Sequence, residues 1–593
     1  MLIIDCEVYS NYFLFACINV DSGKVTYIEK FNDSAFDTKL LAKAMSKHTT
    51  VSFNGLSYDL PIISTVLNGK TNAQIKAFSD ALIKTKAPAW RICKDHKVTI
   101  PKQWDHIDLI EVAPGQASLK IYGGRLNAQK LQDLPIQPTA TITTEQAKQL
   151  REYCLNDLLT TQLLYKKLLP QITLRESMSQ QYGLDLRSKS DAQIAEAVIK
   201  SELEKETGKT FKPFKLPEGY TFRYQNPKII NFETEQLQTI FDRILNTDFN
   251  LFDTGSVKMP GWLEKQKIKI GKGVYQMGIG GLHSTEKCQF VQPTAGQFLC
   301  DMDVASYYPS IILQQRLAPK SLGNPFLNVY QSIVSRRIKA KREGDKVTAE
   351  TLKICINGSF GKLGSKYSML YAPELLLQTT MTGQLALLML IEALELNGIQ
   401  VVSANTDGIV ILCDRVKEDL LGELTFDWML STSYDLERTD YARIASRDVN
   451  NYVAVKLDGK TKGKGVFADI GLSKNPDELI VFKAVAASVA NNASIEQTIK
   501  TSTDINDFVT VRRVEGGAIW NGEYLGKAVR FYHSRLIPQS DVIAYAKNTN
   551  KVPNSQGCRP LMNYSDSFPS DIDFDYYINK ANELLTAVGY VST

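Results

Sequence analysis

The 593-residue chain has nine cysteines, and no two of them form a C-x-x-C pair. Zinc knuckles, redox pairs and four-cysteine clusters therefore lack their ligands. With five histidines, a histidine-rich metal site is not expected. No apolar run reaches the ~18 residues of a membrane span, and the best stretch, Leu385 to Leu396, contains Glu392 and Glu395. The opening Met1-Leu-Ile-Ile-Asp5 lacks the basic start and long apolar core of a secretory signal. Charge of one sign is also scarce: 69 basic against 64 acidic residues leave +5, which permits a nucleic-acid partner without requiring one. There is no repeat period or low-complexity tract, and no G-x-x-x-x-G-K-[ST] string that would signal a fused P-loop ATPase. These absences give the expectation of a soluble, intracellular protein with no membrane partner.

What is present is a composition that folds, 44% hydrophobic and 22% charged, at a length that suggests about four domains. Leu2–Ile4 and the alternating Asn11–Val20 read as strands. Thr143 to Leu169 reads as a long amphipathic helix, opened by a Thr143/Gln146 capping box and stopped by Pro170. Glu204 to Pro227, rich in lysine and proline, reads as a surface connector and a domain boundary. Further on come a strand at Gln297–Asp303, a helix with Pro309 near its start, a basic helix over 332–343, a helix over 349–361 and a hairpin over 401–412. The last hundred residues read as helical, broken at Pro538 and Pro553.

In the first strand Asp5 and Glu7 are two apart and leave the same face, about 7 Å from each other. Asn54-Gly-Leu-Ser-Tyr58-Asp59 supplies a third acid after an apolar run. Tyr153 and Asp157 share one face of the long helix. Four acids on separate elements suit two Mg²⁺ ions and a phosphodiester. A lone D-x-E is most often a solvated strand end. The ordered set D-x-E, N-x-x-x-[FY]-D and Y-x-x-x-D resembles the three exonuclease motifs of DnaQ-like proofreading domains. That resemblance implies Asp5, Glu7, Asp59 and Asp157 as metal ligands, Tyr153 as the residue orienting the attacking water, and Asn54 and Tyr58 as DNA contacts. Asp105 and Asp108 read as ordinary strand-end acids.

The most specific string is Asp303-Val304-Ala-Ser306-Tyr307-Tyr308-Pro309-Ser-Ile-Ile312, a strand end turning at once into a helix whose N–H groups can meet phosphates. It resembles motif A of family B DNA polymerases, with Tyr307 in place of the usual leucine. Lys353, Asn357 and Gly361 recur on one helical face and resemble motif B, with Gly358 for serine and Phe360 for tyrosine. Upstream, Arg337 and Lys341 stand at i, i+4 within a run of five cations; alone the run reads equally well as a solvated basic helix face, and its position just before motif B makes the pair resemble the family's triphosphate clamp. Asn405-Thr-Asp407-Gly408 between two apolar strands is a tight hairpin tip. It resembles motif C, with Asn405 for the first aspartate. Lys456, Lys460, Lys462 and Lys464 fall within nine residues and suit phosphate backbones. Tyr452 stands at the K-x-Y position without its lysine, and Gly278-Ile-Gly280-Gly281 stands at the Y-x-G-G junction without its tyrosine.

The resemblance spans residues 5 to 464 and implies an α/β multidomain protein: an RNase H-like (DnaQ-like) exonuclease domain followed by a right-hand palm, fingers and thumb. The corresponding boundaries are 1–170 for the exonuclease, 171–270 for the connector and first part of the polymerase body, 271–330 for palm, 331–365 for short fingers, 366–484 for palm and 485–593 for thumb. Lys353 follows Asp303 by only 50 residues, which leaves no room for the long insertion of protein-primed viral members and looks most like a compact bacteriophage replicative polymerase. Asp303, the Val304 carbonyl and Asp407 are then the metal ligands. Val304, Ser306, Tyr307, Tyr308, Arg337, Lys341, Lys353 and Asn357 are the nucleotide contacts, with either Tyr307 or Tyr308 excluding a 2′-hydroxyl. Gly280, Gly281, Gly361, Tyr452 and the four lysines are the DNA contacts. The implied cofactor is Mg²⁺, two ions per site, with Mn²⁺ as a substitute. The implied partners are primer–template DNA, dNTPs and other replisome proteins, for a monomer in the cytoplasm of an infected bacterium. The competing readings are an exonuclease with a degenerate polymerase half, motivated by Asn405, and a non-catalytic primer–template binding protein.

Overall fold

The computed structural model describes residues 1–564 and 567–590. The chain is a multidomain α/β protein whose contacts divide it into two compact units. One unit comprises Met1–Ser190, Ile470–Ile480 and Ser502–Tyr576, and the other Asp191–Asp469, Val481–Thr501 and Tyr577–Thr593. Parts of the segment read as thumb thus fold with the N-terminal 190 residues.

In the first unit, Leu2–Tyr9 lies at the centre of a five-stranded sheet, antiparallel to Tyr12–Asn19 and parallel to Thr50–Ser52. Val25–Phe31 and His106–Asp108 close the edges. Period-2 alternation gives each face of the central strand its own core: Ile4, Cys6 and Val8 join one apolar cluster, Ile3 and Tyr9 the other. Helix Thr144–Tyr182 covers the second face, and its Thr143/Gln146 capping box is formed. Pro170 does not stop this helix, contrary to the sequence reading. A proline removes one helical N–H, but Leu164, Leu168 and Ile172 on either side are buried in one cluster, and the helix continues to Gly183 at φ +67°.

The helical reading of the last hundred residues holds for Ile495–Thr501 and Phe574–Ala587 and is corrected between them. Thr510–Trp520 and Glu523–His533 form a long hairpin within a four-stranded sheet. The turn between them is Asn521-Gly522, both at positive φ, the chemistry that favours a two-residue hairpin loop. Val511, Val514, Val529 and Phe531 are fully buried. This sheet packs on helix Leu119–Arg125, where a Cβ on Gly124 would lie 2.7 Å from Val511.

The second unit is built on a ten-stranded sheet. Its middle runs Asn451–Lys456, Leu436–Asp448, Gln297–Val304, Gly408–Asp414, Gln400–Asn405. Helix Pro373–Leu396, long and apolar enough by length and composition to cross a membrane, is largely buried here. Its Leu385, Leu388 and Ile391 join a core with Cys300, Met302 and Ile411. Glu392 within it is buried and accepts N–H bonds from Glu233 and Thr234 at 2.9 and 2.8 Å. After helix Asp191–Thr207 the connector has no regular element until Thr221–Arg223.

Candidate active sites

The first unit gathers acids from four elements. Asp5 and Glu7 leave the central strand on one face. The ligand atoms of Asp5, Glu7 and Cys154 lie within 4.8 Å of one another, and the Cys154 thiol donates to Asp5 Oδ2 at 3.4 Å. Asp59 opens helix Asp59–Leu67 after a turn that sequence reasoning undervalued. Asp108 is buried, and its carboxylate accepts the N–H groups of Asn54 at 2.7 Å and Leu56 at 3.0 Å. It does end the strand His106–Asp108, but as a buried acid that holds this turn rather than as a solvated one. Asn54 sits at φ +71°, and Gly55 is required because a Cβ would fall 1.8 Å from Ser52 Oγ. Tyr58 hydrogen-bonds Ser79 at 2.8 Å through its hydroxyl.

Tyr153 and Asp157 come from the long helix. Lys120, which the motifs do not include, donates to the Tyr153 hydroxyl at 2.6 Å, and its ammonium lies 4.7 Å from that ring's centre. Nothing in its spacing marks it, because the contact arises only when helix Leu119–Arg125 packs on Thr144–Tyr182.

The electrostatics are those of crowded acids. Burial, then Asp59, Glu7 and Asp157, push Asp5 well above the usual carboxylate range. Burial and Asp157 raise Glu7 to about 8 against the opposing pull of Lys120. Burial and Asp108 raise Asp59 to about 7. Asp157 is raised by burial, with Lys120 and the Tyr153 hydroxyl pulling it down. Asp59 Oδ1 is buried with no hydrogen-bond partner among the described residues. An orphaned oxygen among mutually repelling carboxylates is a donor set that fits hard divalent cations.

The second unit holds the other group. Asp303 pairs in register with Gly408 across the sheet, and the Val304 N–H donates to the Asp407 carbonyl at 2.7 Å. Thr406 at φ +61° makes the hairpin tip. Gly408 leaves room for the Asp303 carboxylate, since a Cβ there would stand 2.2 Å from Asp303 Oδ1 and displace it. Burial raises both Asp303 and Asp407; for Asp407 the cation of Lys464 opposes the shift.

A cavity of about 280 Å³ opens beside these acids, lined by Val304, Ser306, Tyr308, Arg337, Asn357 and Phe360 among others. Ser306 adopts φ +48° and precedes helix Tyr307–Gln314; Arg337 Nη1 reaches its hydroxyl at 3.5 Å. The adjacent tyrosines diverge. Tyr307 is buried and donates to the Gly383 carbonyl at 2.6 Å. Tyr308 stacks on Phe360, with ring centres 4.5 Å apart, and donates to the Gly280 carbonyl. Lys353, Asn357 and Gly361 share the exposed face of helix Lys346–Lys362. Lys353 pairs there with Glu350 at 3.4 Å, and Lys341 is exposed on helix Asn324–Glu343. Gly358 faces helix Asp191–Thr207, where a Cβ would meet Asp191 O at 2.6 Å, so a serine does not fit. Gly281 lies against Thr406, whose Cγ2 a Cβ would approach to 2.9 Å.

The lysine run divides. Lys460 pairs with Asp458 on an exposed turn at 2.8 Å, and Lys456 returns to that turn through its backbone. Lys462 reaches Asp301 at 2.9 Å and Asp303 at 3.4 Å. Its charge is favoured because Asp301 and Asp303 outweigh the opposing effect of burial. Lys464, opposite Tyr452 in register, is held below the usual lysine range by burial, with Asp407 pulling the other way. Asp301, which shares a strand face with Asp303, is buried and accepts the Tyr441 hydroxyl at 2.5 Å. It lies in a strand paired on both sides, which removes the solvent that a strand-end acid would have.

No protein-family model matches the chain, and no curated protein matches it. Among solved structures, the chain is similar to the family B DNA polymerase of the hyperthermophilic archaeon Pyrobaculum calidifontis, at 14% identity and a TM-score of 0.41, covering 100% of this chain and 78% of that one.

Proposed function

We propose that the chain is a DNA-directed DNA polymerase of family B with a 3′→5′ exonuclease, of the compact kind that copies phage genomes from an ordinary primer. The observation that carries the reading is the pairing of Asp303 with Gly408, next to Asp407, beside a cavity bounded by Ser306, Tyr308, Arg337 and Asn357. Asp303, Asp407 and the Val304 carbonyl would hold Mg²⁺ there, and Asp5, Glu7, Asp59 and Asp157 would hold it in the exonuclease. When bound, such ions activate an attacking oxygen and offset charge on the phosphoryl oxygens.

The chain's own residues do the rest. Arg337, tethered to Ser306, offers its guanidinium to a triphosphate over the start of helix Tyr307–Gln314. The Tyr308–Phe360 stack gives the incoming sugar and base a rigid floor. With Tyr307 committed to the Gly383 carbonyl, Tyr308 is the ring available to exclude a 2′-hydroxyl. Lys462 and Lys464 supply positive charge beside the acids, suited to the primer backbone. In the exonuclease, burial and the surrounding acids hold the Tyr153 hydroxyl neutral. It can therefore orient a water, while Lys120 fixes its position and supplies a cation that acts on Glu7.

The test is primer extension on a labelled primer–template with Mg²⁺, with and without dNTPs. Lengthening with dNTPs and shortening without them supports both activities. Shortening in both lanes, unrelieved by Mn²⁺, favours the second reading, an exonuclease with a degenerate polymerase half, for which Asn405 is the motivating residue.

A further inference from the structure

Resting on the polymerase reading, we infer that Asn405 is a positioning residue, an amide strut that ties the hairpin tip carrying Asp407 to the turn that precedes Tyr452. The Asn405 side-chain amide donates to the Val449 carbonyl at 2.8 Å and to Asn450 Oδ1 at 3.2 Å. Its oxygen is engaged in turn by the Thr406 hydroxyl at 3.2 Å. Both ends of the amide are therefore used within the protein.

The receiving turn is itself braced. Asp448 accepts the Asn450 N–H at 3.0 Å and the Asn451 side-chain amide at 2.7 Å. On its other side, Gly465 has no room for a side chain, because a Cβ would lie 2.2 Å from Asn450 O. Val466 N–H donates to Asn451 Oδ1 at 3.0 Å. One turn thus meets the acid-bearing hairpin through Asn405 and, through Gly465, the end of the strand that carries Lys462 and Lys464.

An aspartate at 405 cannot make the principal bond. Asn450 can rotate its own amide to offer an N–H, but the Val449 carbonyl is only ever an acceptor. A carboxylate would face it oxygen to oxygen, in a half-buried site where an unmade bond is costly. On this reading the asparagine is matched to its partner, and restoring an acid at 405 harms the site.

The test compares the wild-type chain with Asn405→Asp and Asn405→Ala, following primer extension, excision, the Mg²⁺ concentration for half-maximal extension, and deuterium uptake across 448–452. The strut predicts that both variants extend about tenfold more slowly, at an unchanged Mg²⁺ midpoint, with faster uptake in that turn and unchanged excision. Asn450→Ala, which removes only the longer bond, keeps extension within about threefold of wild type and serves if the other variants do not fold. Faster extension by Asn405→Asp at a lower Mg²⁺ midpoint, or uptake in the turn equal to wild type in both variants, overturns the strut. A wild-type chain that excises and never extends overturns the polymerase reading instead, and the uptake measurement still decides the strut.

Discussion

The crowded acids of the N-terminal unit make a quantitative prediction about pH and metal. Glu7 is raised to about 8 and Asp59 to about 7, chiefly by burial, with Asp157 the largest neighbouring contribution for Glu7 and Asp108 for Asp59. A carboxyl with a raised folded pKa keeps its proton longer in the fold than in the unfolded chain. Its folding advantage is complete below about pH 4 and is lost as pH climbs through the folded value. For Glu7 alone, the loss between about pH 5.5 and about pH 8 is roughly 3 kcal/mol. Asp59 acts on Glu7 directly, so the two costs are not summed. In a unit of this size roughly 3 kcal/mol corresponds to a melting shift on the order of 5–10 °C. Metal-free protein in EDTA should lose that much between the two pH values, and millimolar Mg²⁺ should restore most of it at the higher one. Glu7→Gln should flatten the profile. The assay is differential scanning calorimetry of the full chain, with deuterium uptake over Leu2–Tyr9 assigning the change to this unit. A metal-free profile that is flat in wild type, or Mg²⁺ that gives no gain near pH 8, would falsify the claim that these carboxylates share one cation site.

Three other outcomes follow from particular contacts. Asp303→Ala should abolish extension and spare excision, while Asp5→Ala should do the reverse; loss of both activities in either folded variant contradicts two separate sites. Gly408→Ala would put a Cβ 2.2 Å from Asp303 Oδ1, so extension should fall at least a hundredfold, on the order of 3 kcal/mol, with excision intact; near-normal single-nucleotide incorporation refutes the pairing. Tyr308→Ala should raise ribonucleotide incorporation relative to deoxyribonucleotide by tenfold or more, about 1.4 kcal/mol, whereas Tyr307→Phe, which loses only a buried hydroxyl bond, should leave that ratio unchanged while lowering stability by about 1 kcal/mol.

Which parts were legible in the sequence depended on whether the cause was local. The face shared by Asp5 and Glu7, the capping box at Thr143 and the tip at Asn405–Gly408 each follow from a few neighbouring residues. Pro170 misled because its local cost is outweighed by apolar side chains buried on both sides of it. The Thr510–His533 hairpin was missed although Asn521-Gly522 is a strong turn signal. Lys120 and Asp301 had no local signal of their own. Lys120 meets Tyr153 across 33 residues of sequence, and Asp301 meets Lys462 across 161. Burial decides such roles, and burial is set by strands and helices that arrive later in the chain.

The departures from the family motifs bear on whether the second unit is catalytic. Decay would leave substitutions unsupported by their surroundings. Gly358, where serine is usual, stands where a Cβ would collide with the Asp191 carbonyl, so the closely packed helix and the glycine require each other. Tyr307, where leucine is usual, has its hydroxyl satisfied by the Gly383 carbonyl, and a Cβ on Gly383 would lie 3.2 Å from its ring. Phe360, lacking the usual hydroxyl, stacks on Tyr308, whose own hydroxyl is bonded elsewhere. Asn405 uses both ends of its amide. Each exchange thus has a partner shaped to it, and the acids they surround, Asp303 and Asp407, remain adjacent. Four exchanges fitted to their surroundings beside these two carboxylates support the proposed synthesis over the degenerate reading, and the extension assay decides between them.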